Sequence, residues 1–259
     1  MELQYTFPLE RNNGHLILTS AGPSTHAITE AIREVVKSRI GDSSPRILEV
    51  QDQWGSFPID AYVSLQERLT HYTESIGLRT WSRIWQHFVF GKALSLEKIQ
   101  LSSASCEQVK AALDRSDVII APGGNTFLQA KGFSTHKVVI KEKVQNNEIL
   151  YIGESAGSIV AGASLKPAQI APADIQPNFG HYDALGFIDT DVIVHAEGYN
   201  YRSVVPFIGK IASRMLNTNN SSLVAINRYR YENRNYRESI VLNDGQALLI
   251  DGNRKTMIV

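Results

Sequence analysis

The chain has 259 residues and no clear internal linker, so one large hydrophobic core is expected and residues 1–259 are interpreted as a single domain. Its 26 basic and 26 acidic residues balance, which gives no electrostatic reason to expect nucleic acid or an anionic membrane as partner and favours a small neutral substrate or a peptide. One cysteine excludes an internal disulfide, and the Met-Glu-Leu-Gln-Tyr start resembles neither a signal peptide nor a membrane span; both observations favour the cytoplasm.

Apolar runs alternate with helical patterns along most of the chain, which is typical of an α/β protein with a doubly wound, mostly parallel sheet. The turn Asn243-Asp244-Gly245 predicts that some of the last strands are antiparallel. The first helix is expected to be capped by Ser24 or Thr25 and ended by Gly41. The other predicted helices are 60–76, 105–116, 135–147, a short one ending near 164, and 202–216. The predicted strands are 15–20, 46–50, 98–102, 117–121, 149–152, 191–194, 222–227, 238–242 and 246–250.

Two early features have a structural and a functional interpretation. Asp52 and Trp54 follow a predicted strand, where ligands of such sheets bind, although an ordinary surface loop is the more common explanation for such residues. The segment from Trp81 to Phe90 carries four aromatic residues at roughly helical spacing. Such a stripe is usually core, but an exposed one would indicate a pocket wall or a subunit interface, so a homodimer is among our expectations.

The segment Gly153-Glu154-Ser155-Ala156-Gly157 follows a predicted strand and precedes a helix. Gly-x-Ser-x-Gly in that setting is the pattern of a nucleophile elbow, so Ser155 is the candidate nucleophile. A second small-residue loop, Gly123-Gly124-Asn125-Thr126-Phe127, follows the preceding strand. The backbone amides of Gly124 and Ala156 are therefore the predicted oxyanion-hole donors.

A serine nucleophile needs a base, and the base needs an orienting acid. His195 is the best candidate base because it ends an apolar strand and should lie at the same sheet edge as Ser155; His181 is the alternative. For the acid we predict Asp174, in the irregular stretch between Ser155 and His195. The competing carboxylates are Asp183, Asp191 and Glu197.

The two glycine loops, about thirty residues apart, resemble the peptidase E (aspartyl dipeptidase) and cyanophycinase family of serine peptidases. So do the phrase Tyr-Asp-Ala-Leu-Gly-Phe at 182–187 and the phrase Asn-Asp-Gly-Gln-Ala at 243–247. The resemblance implies a three-layer, flavodoxin-like fold of the class I glutamine-amidotransferase type, with C-terminal antiparallel strands. It assigns nucleophile, base and acid to Ser155, His195 and Asp174, and it implies no cofactor and no metal.

The family also implies a substrate site, to which we assign Asn125, Thr126 and Glu154. Glu154 departs from the aspartyl dipeptidases, which carry a bulky apolar residue before the serine. A carboxylate there would disfavour an acidic substrate side chain or bind a substrate amino group, so both aspartyl dipeptides and β-aspartyl substrates of the cyanophycin type stay open.

The function predicted on these grounds is a serine exopeptidase or dipeptidase that cleaves short peptides through an acyl-enzyme. An esterase of the α/β-hydrolase type would use the same elbow, but its acid usually follows the serine by more residues than this chain allows, and no His-Gly-Gly-Gly motif is present. A non-catalytic binding protein that retained the fold is the other alternative.

Overall fold

A computed structural model describes residues 4–5, 14–54, 84, 86–90, 95–170, 183–196 and 239–259. The predicted helices 60–76 and 202–216 and the predicted strand 222–227 lie outside these residues. The helices of the described part are α1 (His26–Ile40), α2 (Cys106–Asp114), α3 (Thr126–Gln145) and α4 (Ala156–Ala161). The strands are β1 (Gln4–Tyr5), β2 (His15–Thr19), β3 (Arg46–Val50), β4 (Ser95–Ile99), β5 (Val118–Ala121), β6 (Leu150–Glu154), β7 (Asp191–Ile193), β8 (Ser239–Val241), β9 (Ala247–Asp251) and β10 (Arg254–Ile258).

Eight of these strands form one sheet in the order β1-β10-β9-β2-β6-β5-β3-β4. The five strands from β2 to β4 in this order are parallel, whereas β9 runs antiparallel to β2 and β10 antiparallel to β9. The remaining two, β7 and β8, pair with each other in parallel. A mostly parallel sheet with helices and antiparallel C-terminal strands confirms the predicted fold class.

The central strands are buried on both faces, which explains why their sequences are continuous apolar runs without polar alternation. On one face Leu18 and Tyr151 belong to a core cluster that includes residues of α2, α3 and α4. On the other face Ile17 and Ile152 belong to a cluster that includes Ile28 and other residues of α1. The sheet therefore has a helical layer on each face, with α2, α3 and α4 on one face and α1 on the other.

Helix α1 begins and ends where the sequence predicts. The side chain of Thr25 accepts a hydrogen bond from the amide of Ile28, and Gly41 ends the helix with a φ of 67°. Helix α3, in contrast, begins at Thr126 and not near residue 135. Its cap is Asn125, whose side-chain oxygen accepts the amides of Phe127 and Leu128, so the helix starts directly after the glycine pair.

The C-terminal pairing differs from the hairpin expected at Asn243–Gly245. The strands on either side of that turn are not each other's partners: β8 pairs with β7, and β9 pairs with β2. The last strand, β10, was not predicted from the sequence. Long-range pairing overrides the local turn pattern here because each of the two strands finds a partner elsewhere in the chain.

The aromatic segment 81–90 is partly described, and residues 86–90 are helical. Val89 is buried, whereas the Phe88 ring is 67% exposed and lies beside the guanidinium of Arg33. Trp81 and Trp85 lie outside the residues whose side chains the structure describes. The segment therefore has one buried and one exposed side, and the homodimer stays a prediction.

Gly157, in the first turn of α4, lies where that helix crosses β5. A Cβ atom at this position would lie 1.9 Å from the carbonyl oxygen of Ala121, which is backbone and cannot move aside alone. We expect Gly157→Ala to lower the free energy of unfolding by about 2 kcal/mol or more. Urea denaturation followed by circular dichroism measures this loss.

Gly41→Ala is the matched control, because its Cβ would meet no atom within 4 Å but would carry the strain of a positive φ. We expect this variant to lose only about 1 kcal/mol. Equal losses at Gly157 and Gly41 would contradict the close approach of α4 to β5.

Candidate active site

Ser155 lies in the turn between β6 and α4, with φ 48° and ψ −107°. Positive φ is rare for a residue with a side chain and is a strained conformation. The turn is held in place because the Ser155 amide donates to the carbonyl of Thr19 at 3.0 Å. The flanking glycines are needed for space, since a Cβ on Gly153 would lie 2.9 Å from the backbone of Gly157. The strand-turn-helix arrangement expected for this segment is present.

Two buried hydroxyl groups fix the start of α4 relative to the sheet. The Tyr151 hydroxyl donates to the carbonyl oxygen of Gly157 at 2.7 Å, and burial raises the pKa of Tyr151, so this donor keeps its proton. The Ser158 hydroxyl lies 2.8 Å from the Thr19 carbonyl and 2.9 Å from the Gly153 carbonyl. These hydrogen bonds hold the turn that carries Ser155 against the ends of β2 and β6.

His195 contacts Ser155 directly. Its Nε2 atom lies 2.8 Å from the Ser155 Oγ, within hydrogen-bond distance, although forty residues separate the two in the chain. Each of the two residues is 9% exposed. Like Ser155, His195 has a left-handed backbone conformation, with φ 53°. The pair predicted as nucleophile and base is therefore brought together at one edge of the sheet.

The carboxylate that contacts the other side of the ring belongs to Asp244. Its Oδ1 atom lies 2.6 Å from Nδ1 of His195, and the two side chains are 9% and 10% exposed. An ionised carboxylate only accepts hydrogen bonds, so this contact makes Nδ1 the protonated nitrogen and leaves Nε2 as an acceptor for the Ser155 hydroxyl. The result is an ordered chain of hydrogen bonds from serine through histidine to aspartate.

The acid predicted from the sequence was Asp174, and that residue lies outside the described part of the chain, as do His181 and Glu197. Of the two described competitors, Asp183 is exposed and Asp191 accepts a hydrogen bond from the Ser164 hydroxyl at 2.7 Å. Asp244 therefore occupies the position that the sequence analysis assigned to Asp174, and it was not among the candidate acids.

The parallel pairing of β7 with β8 explains why His195 and Asp244 meet. In this pair Ile193 is opposite Val241, so the residues that follow the two strands leave the same edge side by side. The pairing continues past the strands, since the Leu242 amide donates to the Ile193 carbonyl at 2.8 Å. Two residues beyond each of these partners come His195 and Asp244.

A fourth polar residue, Ser20, completes this cluster. It follows β2, is fully buried, and its hydroxyl donates to Oδ1 of Asp244 at 2.9 Å. The Ser20 Oγ atom in turn accepts a hydrogen bond from the backbone amide of His195 at 2.8 Å. The sequence analysis placed Ser20 at the end of a strand and gave it no role.

The glycine loop after β5 borders Ser155. A Cβ on Gly123 would lie 3.4 Å from the Ser155 Cβ, so this loop passes directly over the nucleophile candidate. Gly124 has φ 143°, a conformation that residues with side chains rarely adopt. Its amide has no acceptor among the described residues, and the amide of Ala156, first in α4, has no intrahelical acceptor. No acceptor within the described ranges competes for these two amides, so both can donate to a bound oxygen atom.

Buried glutamine side chains hold the glycine loop. The carbonyl of Gln53 accepts the Asn125 amide at 3.1 Å. The Gln129 carboxamide donates to the Pro122 carbonyl at 3.0 Å and lies 3.3 Å from the side-chain oxygen of Gln53. The loop is therefore held by hydrogen bonds to Gln129 of α3 and to Gln53 in the segment after β3.

Gly124→Ala is expected to disable this loop without removing any catalytic side chain. The added Cβ would lie 2.8 Å from the Gln53 side chain and 3.0 Å from its carbonyl oxygen, at a φ that disfavours it. Displacing one oxyanion donor should lower kcat about 10²- to 10³-fold. Steady-state kinetics measure this loss, with Gly186→Ala as control because it shares a positive φ but has only a lysine tip within 4 Å. Wild-type kcat in Gly124→Ala would contradict the assignment.

The residues predicted to bind substrate have described positions. Glu154 ends β6 and is 3% exposed, with its carboxyl carbon 3.8 Å from the Cβ position of Gly123. Asn125 caps α3, and Thr126 is the first residue of that helix; both are buried. The Asn125 side-chain oxygen is used by the cap, so a structural role accounts for this residue.

Asp52, a pocket candidate from the sequence, is buried and accepts the backbone amides of Leu101 and Ser102 at 2.7 and 2.8 Å. Its contacts are therefore structural, and the Trp54 side chain lies outside the described residues.

Within the described ranges no group of three or more histidine, cysteine, aspartate or glutamate residues could hold a metal ion. No helix in those ranges is both long and apolar enough to cross a membrane.

Comparison with known proteins identifies relatives of the part of the chain that carries these residues. Residues 85–258 match the model of peptidase family S51. Peptidase E of Pasteurella multocida is 36% identical over 97 residues, which are 37% of this chain and 40% of that protein. Peptidase E of Haemophilus influenzae is 39% identical over 75 residues, or 28% and 32% of the two chains. An uncharacterized peptidase of Listeria monocytogenes is 26% identical over 115 residues, 43% of this chain and 55% of that one. These alignments thus span about half or less of the relatives' length.

Solved structures share the fold over a longer stretch. A putative peptidase E protein from Listeria monocytogenes superposes with a TM-score of 0.57 and 17% identity, covering 95% of this chain and 98% of that one. A peptidase from an acI-B1 actinobacterium superposes with a TM-score of 0.52 and 14% identity, covering 95% and 87%. The family match covers more than half of the chain and includes the turn of Ser155, His195 and Asp244. The chain belongs to peptidase family S51.

Proposed function

We propose that this protein is a serine peptidase that hydrolyses short peptides through an acyl-enzyme. The observation that carries the proposal is the chain of two hydrogen bonds from the Ser155 hydroxyl to Nε2 of His195 and from Nδ1 to Asp244. Serine is a weak nucleophile unless a base takes its proton, and an aspartate on Nδ1 holds the base in the required tautomer. We therefore assign nucleophile, base and acid to Ser155, His195 and Asp244.

In the first step the Ser155 Oγ attacks the carbonyl carbon of the scissile peptide bond while Nε2 of His195 takes the hydroxyl proton. The carbonyl oxygen becomes negatively charged and accepts hydrogen bonds from the amides of Gly124 and Ala156, as in an oxyanion hole. The protonated ring then donates its proton to the leaving nitrogen as the C–N bond breaks. An acyl ester on Ser155 and a free amine result.

In the second step water replaces the amine. His195 takes a proton from the water, whose oxygen attacks the ester carbon, and the same two amides stabilise the new oxyanion. When the ester bond breaks, the proton passes from Nε2 back to the Ser155 Oγ. The acid product leaves, and the enzyme has returned to its starting protonation state.

Glu154 is the proposed determinant of substrate preference. A carboxylate beside the nucleophile, 3% exposed, favours a positively charged group over an acidic one. We propose that it contacts the amino group of a short peptide. Asp-X dipeptides and β-aspartyl-arginine then form the informative substrate panel, since they differ in the distance between that amino group and the scissile bond.

The two alternatives from the sequence make different predictions. The S51 family match supports a peptidase over an α/β-hydrolase esterase. A non-catalytic binding protein has no need for a buried serine, histidine and aspartate in hydrogen-bond contact, so this intact arrangement supports an enzyme.

Fluorophosphonate labelling with mass mapping tests the proposal, because this reagent reacts with activated serine hydroxyls. We expect the label on Ser155 and hydrolysis of at least one member of the dipeptide panel. A label on another serine, or no label and no hydrolysis, would refute the proposed function.

A further inference from the structure

The contacts of Ser20 connect it to both partners of the catalytic serine. Its Oγ atom lies 2.9 Å from Oδ1 of Asp244, 2.8 Å from the backbone nitrogen of His195, and 3.4 Å from Nδ1 of the same histidine. The residue has no exposed surface. Ser20 therefore lies between the proposed base and the proposed acid, shielded from water.

The single hydrogen of the Ser20 hydroxyl can be assigned from these contacts. The backbone amide of His195 can only donate, so Ser20 accepts there. The Asp244 carboxylate can only accept, so the hydroxyl hydrogen points to Oδ1. The Ser20 hydroxyl therefore has no hydrogen left to donate to Nδ1 of His195. Nδ1 must carry its own hydrogen and donate it to Oδ1 of Asp244. Ser20 thus supports the tautomer in which Nε2 accepts from Ser155.

The backbone of His195 also depends on this contact. Its φ of 53° lies in the left-handed region, which costs a non-glycine residue about 1 kcal/mol or more unless neighbouring contacts hold it. On one side the Ser20 hydroxyl accepts the His195 amide, and on the other the Ala196 amide donates to the Leu242 carbonyl at 3.3 Å. The ring direction follows from this backbone.

Ser20 reaches this position through strand register. On β2 the preceding residue, Thr19, is opposite Glu154 of the parallel strand β6 and opposite Ala247 of the antiparallel strand β9. One residue further, Ser20 is beside Ser155 on one side and beside the turn that carries Asp244 on the other. The central strand thus contributes a residue to the group that β6, β7 and β8 supply.

We propose that Ser20 is a positioning residue of this hydrolase: its hydroxyl holds the Asp244 carboxylate and the His195 backbone so that Nε2 faces the Ser155 hydroxyl. The inference rests on the proposed function, because Ser20 touches no reacting atom and acts through His195 and Asp244. The simpler explanation, a buried strand-end serine that only satisfies neighbouring polar groups, predicts a loss of stability and no change at the imidazole.

Three variants separate these explanations. Ser20→Ala removes the hydroxyl, Ser20→Cys keeps the shape with a weaker donor, and Ser116→Ala removes a buried hydroxyl that donates to the Ala112 carbonyl outside the site. We expect kcat to fall about tenfold in Ser20→Ala, the effect of one hydrogen bond to a charged group, with KM unchanged. Ser20→Cys should be intermediate, and Ser116→Ala should retain wild-type kcat.

A proton NMR signal gives a readout that does not depend on turnover. The Nδ1 proton between His195 and Asp244, at a nitrogen–oxygen distance of 2.6 Å, should give a low-field resonance that is lost in His195→Gln. We expect this resonance to shift or broaden in Ser20→Ala and to stay unchanged in Ser116→Ala. An unchanged resonance in a folded Ser20→Ala protein overturns the proposal. If Ser20→Ala does not fold, Ser20→Cys decides in its place.

A double-mutant cycle tests whether Ser20 acts through Asp244. In an Asp244→Ala background, Ser20→Ala should lower the fluorophosphonate labelling rate less than threefold, against about tenfold in the wild-type background. Equal effects in both backgrounds overturn the coupling. Failure of the wild-type protein to label refutes the proposed function instead, while the NMR comparison still decides the positioning of His195 and Asp244 by Ser20.

Discussion

Ser155→Ala is expected to abolish peptide hydrolysis, with kcat falling about 10⁴-fold or more, because the variant lacks the hydroxyl that is proposed to form the acyl ester. The change removes one oxygen atom from a residue whose φ is 48°, and alanine keeps the same Cβ. We therefore expect the fold to persist. Initial rates on the dipeptide panel, with circular dichroism of the same samples, measure both quantities.

Ser164→Ala is the matched control for this variant. Ser164 lies just beyond α4, and its hydroxyl donates to Asp191, away from the His195 ring. We expect this protein to retain wild-type turnover and to take up the fluorophosphonate label, whereas Ser155→Ala should take up none. Unchanged hydrolysis by Ser155→Ala would show that the nucleophile is elsewhere.

The local patterns that predict strands also predict which residues lie at the edge of the sheet where the site is. Ser155 and the glycine pair each follow a buried apolar run, and parallel strands end at a common edge of the sheet. This rule led to the prediction of Ser155, His195 and the loop at Gly124, and the structure brings these three together at one sheet edge. Each of these residues is fixed by the strand directly before it in the chain, which is why short-range reasoning succeeds.

Asp244 was not among the predicted acids because its position beside His195 depends on the partner of β8. The sequence 238–247 contains a turn flanked by apolar runs, so a hairpin was the natural prediction. In the structure β8 pairs in parallel with β7, which lies about fifty residues earlier, and only this pairing brings Asp244 to His195. The phrase at 243–247 was noted as part of the family resemblance, and it contained the signal.

Ser20 was missed for a related reason. Its strand was predicted correctly, but its role needs three registers at once: β2 with β6, β2 with β9, and β7 with β8. Local periodicity specifies none of these.

Gly132 is another residue whose role is visible only in the structure. A glycine inside α3 looks like an interruption of the helix, yet a Cβ there would lie 2.4 Å from the Asp52 carboxyl group. Close packing explains this glycine.

Asp244→Asn is expected to lower kcat about 10³- to 10⁴-fold with little change in fold. The carboxylate accepts from Nδ1 of His195 and from the Ser20 hydroxyl. An amide in its place carries no charge to stabilise the imidazolium, and it can turn a donor toward Nδ1, which moves the ring proton to Nε2 and blocks the transfer from Ser155. Steady-state kinetics and the low-field proton resonance measure the two consequences.

The comparison with Asp174→Asn decides which carboxylate is the acid. Asp174 was the choice from the sequence, and the hydrogen bonds of His195 favour Asp244 instead. We expect Asp174→Asn to stay within about threefold of wild-type kcat, because the Asp244 carboxylate already contacts Nδ1 of His195. If Asp174→Asn lost activity and Asp244→Asn kept it, the acid would be Asp174. The His195–Asp244 contact would then be a resting arrangement that opens when substrate binds, since catalytic hydrogen bonds can rearrange between the free enzyme and its complex.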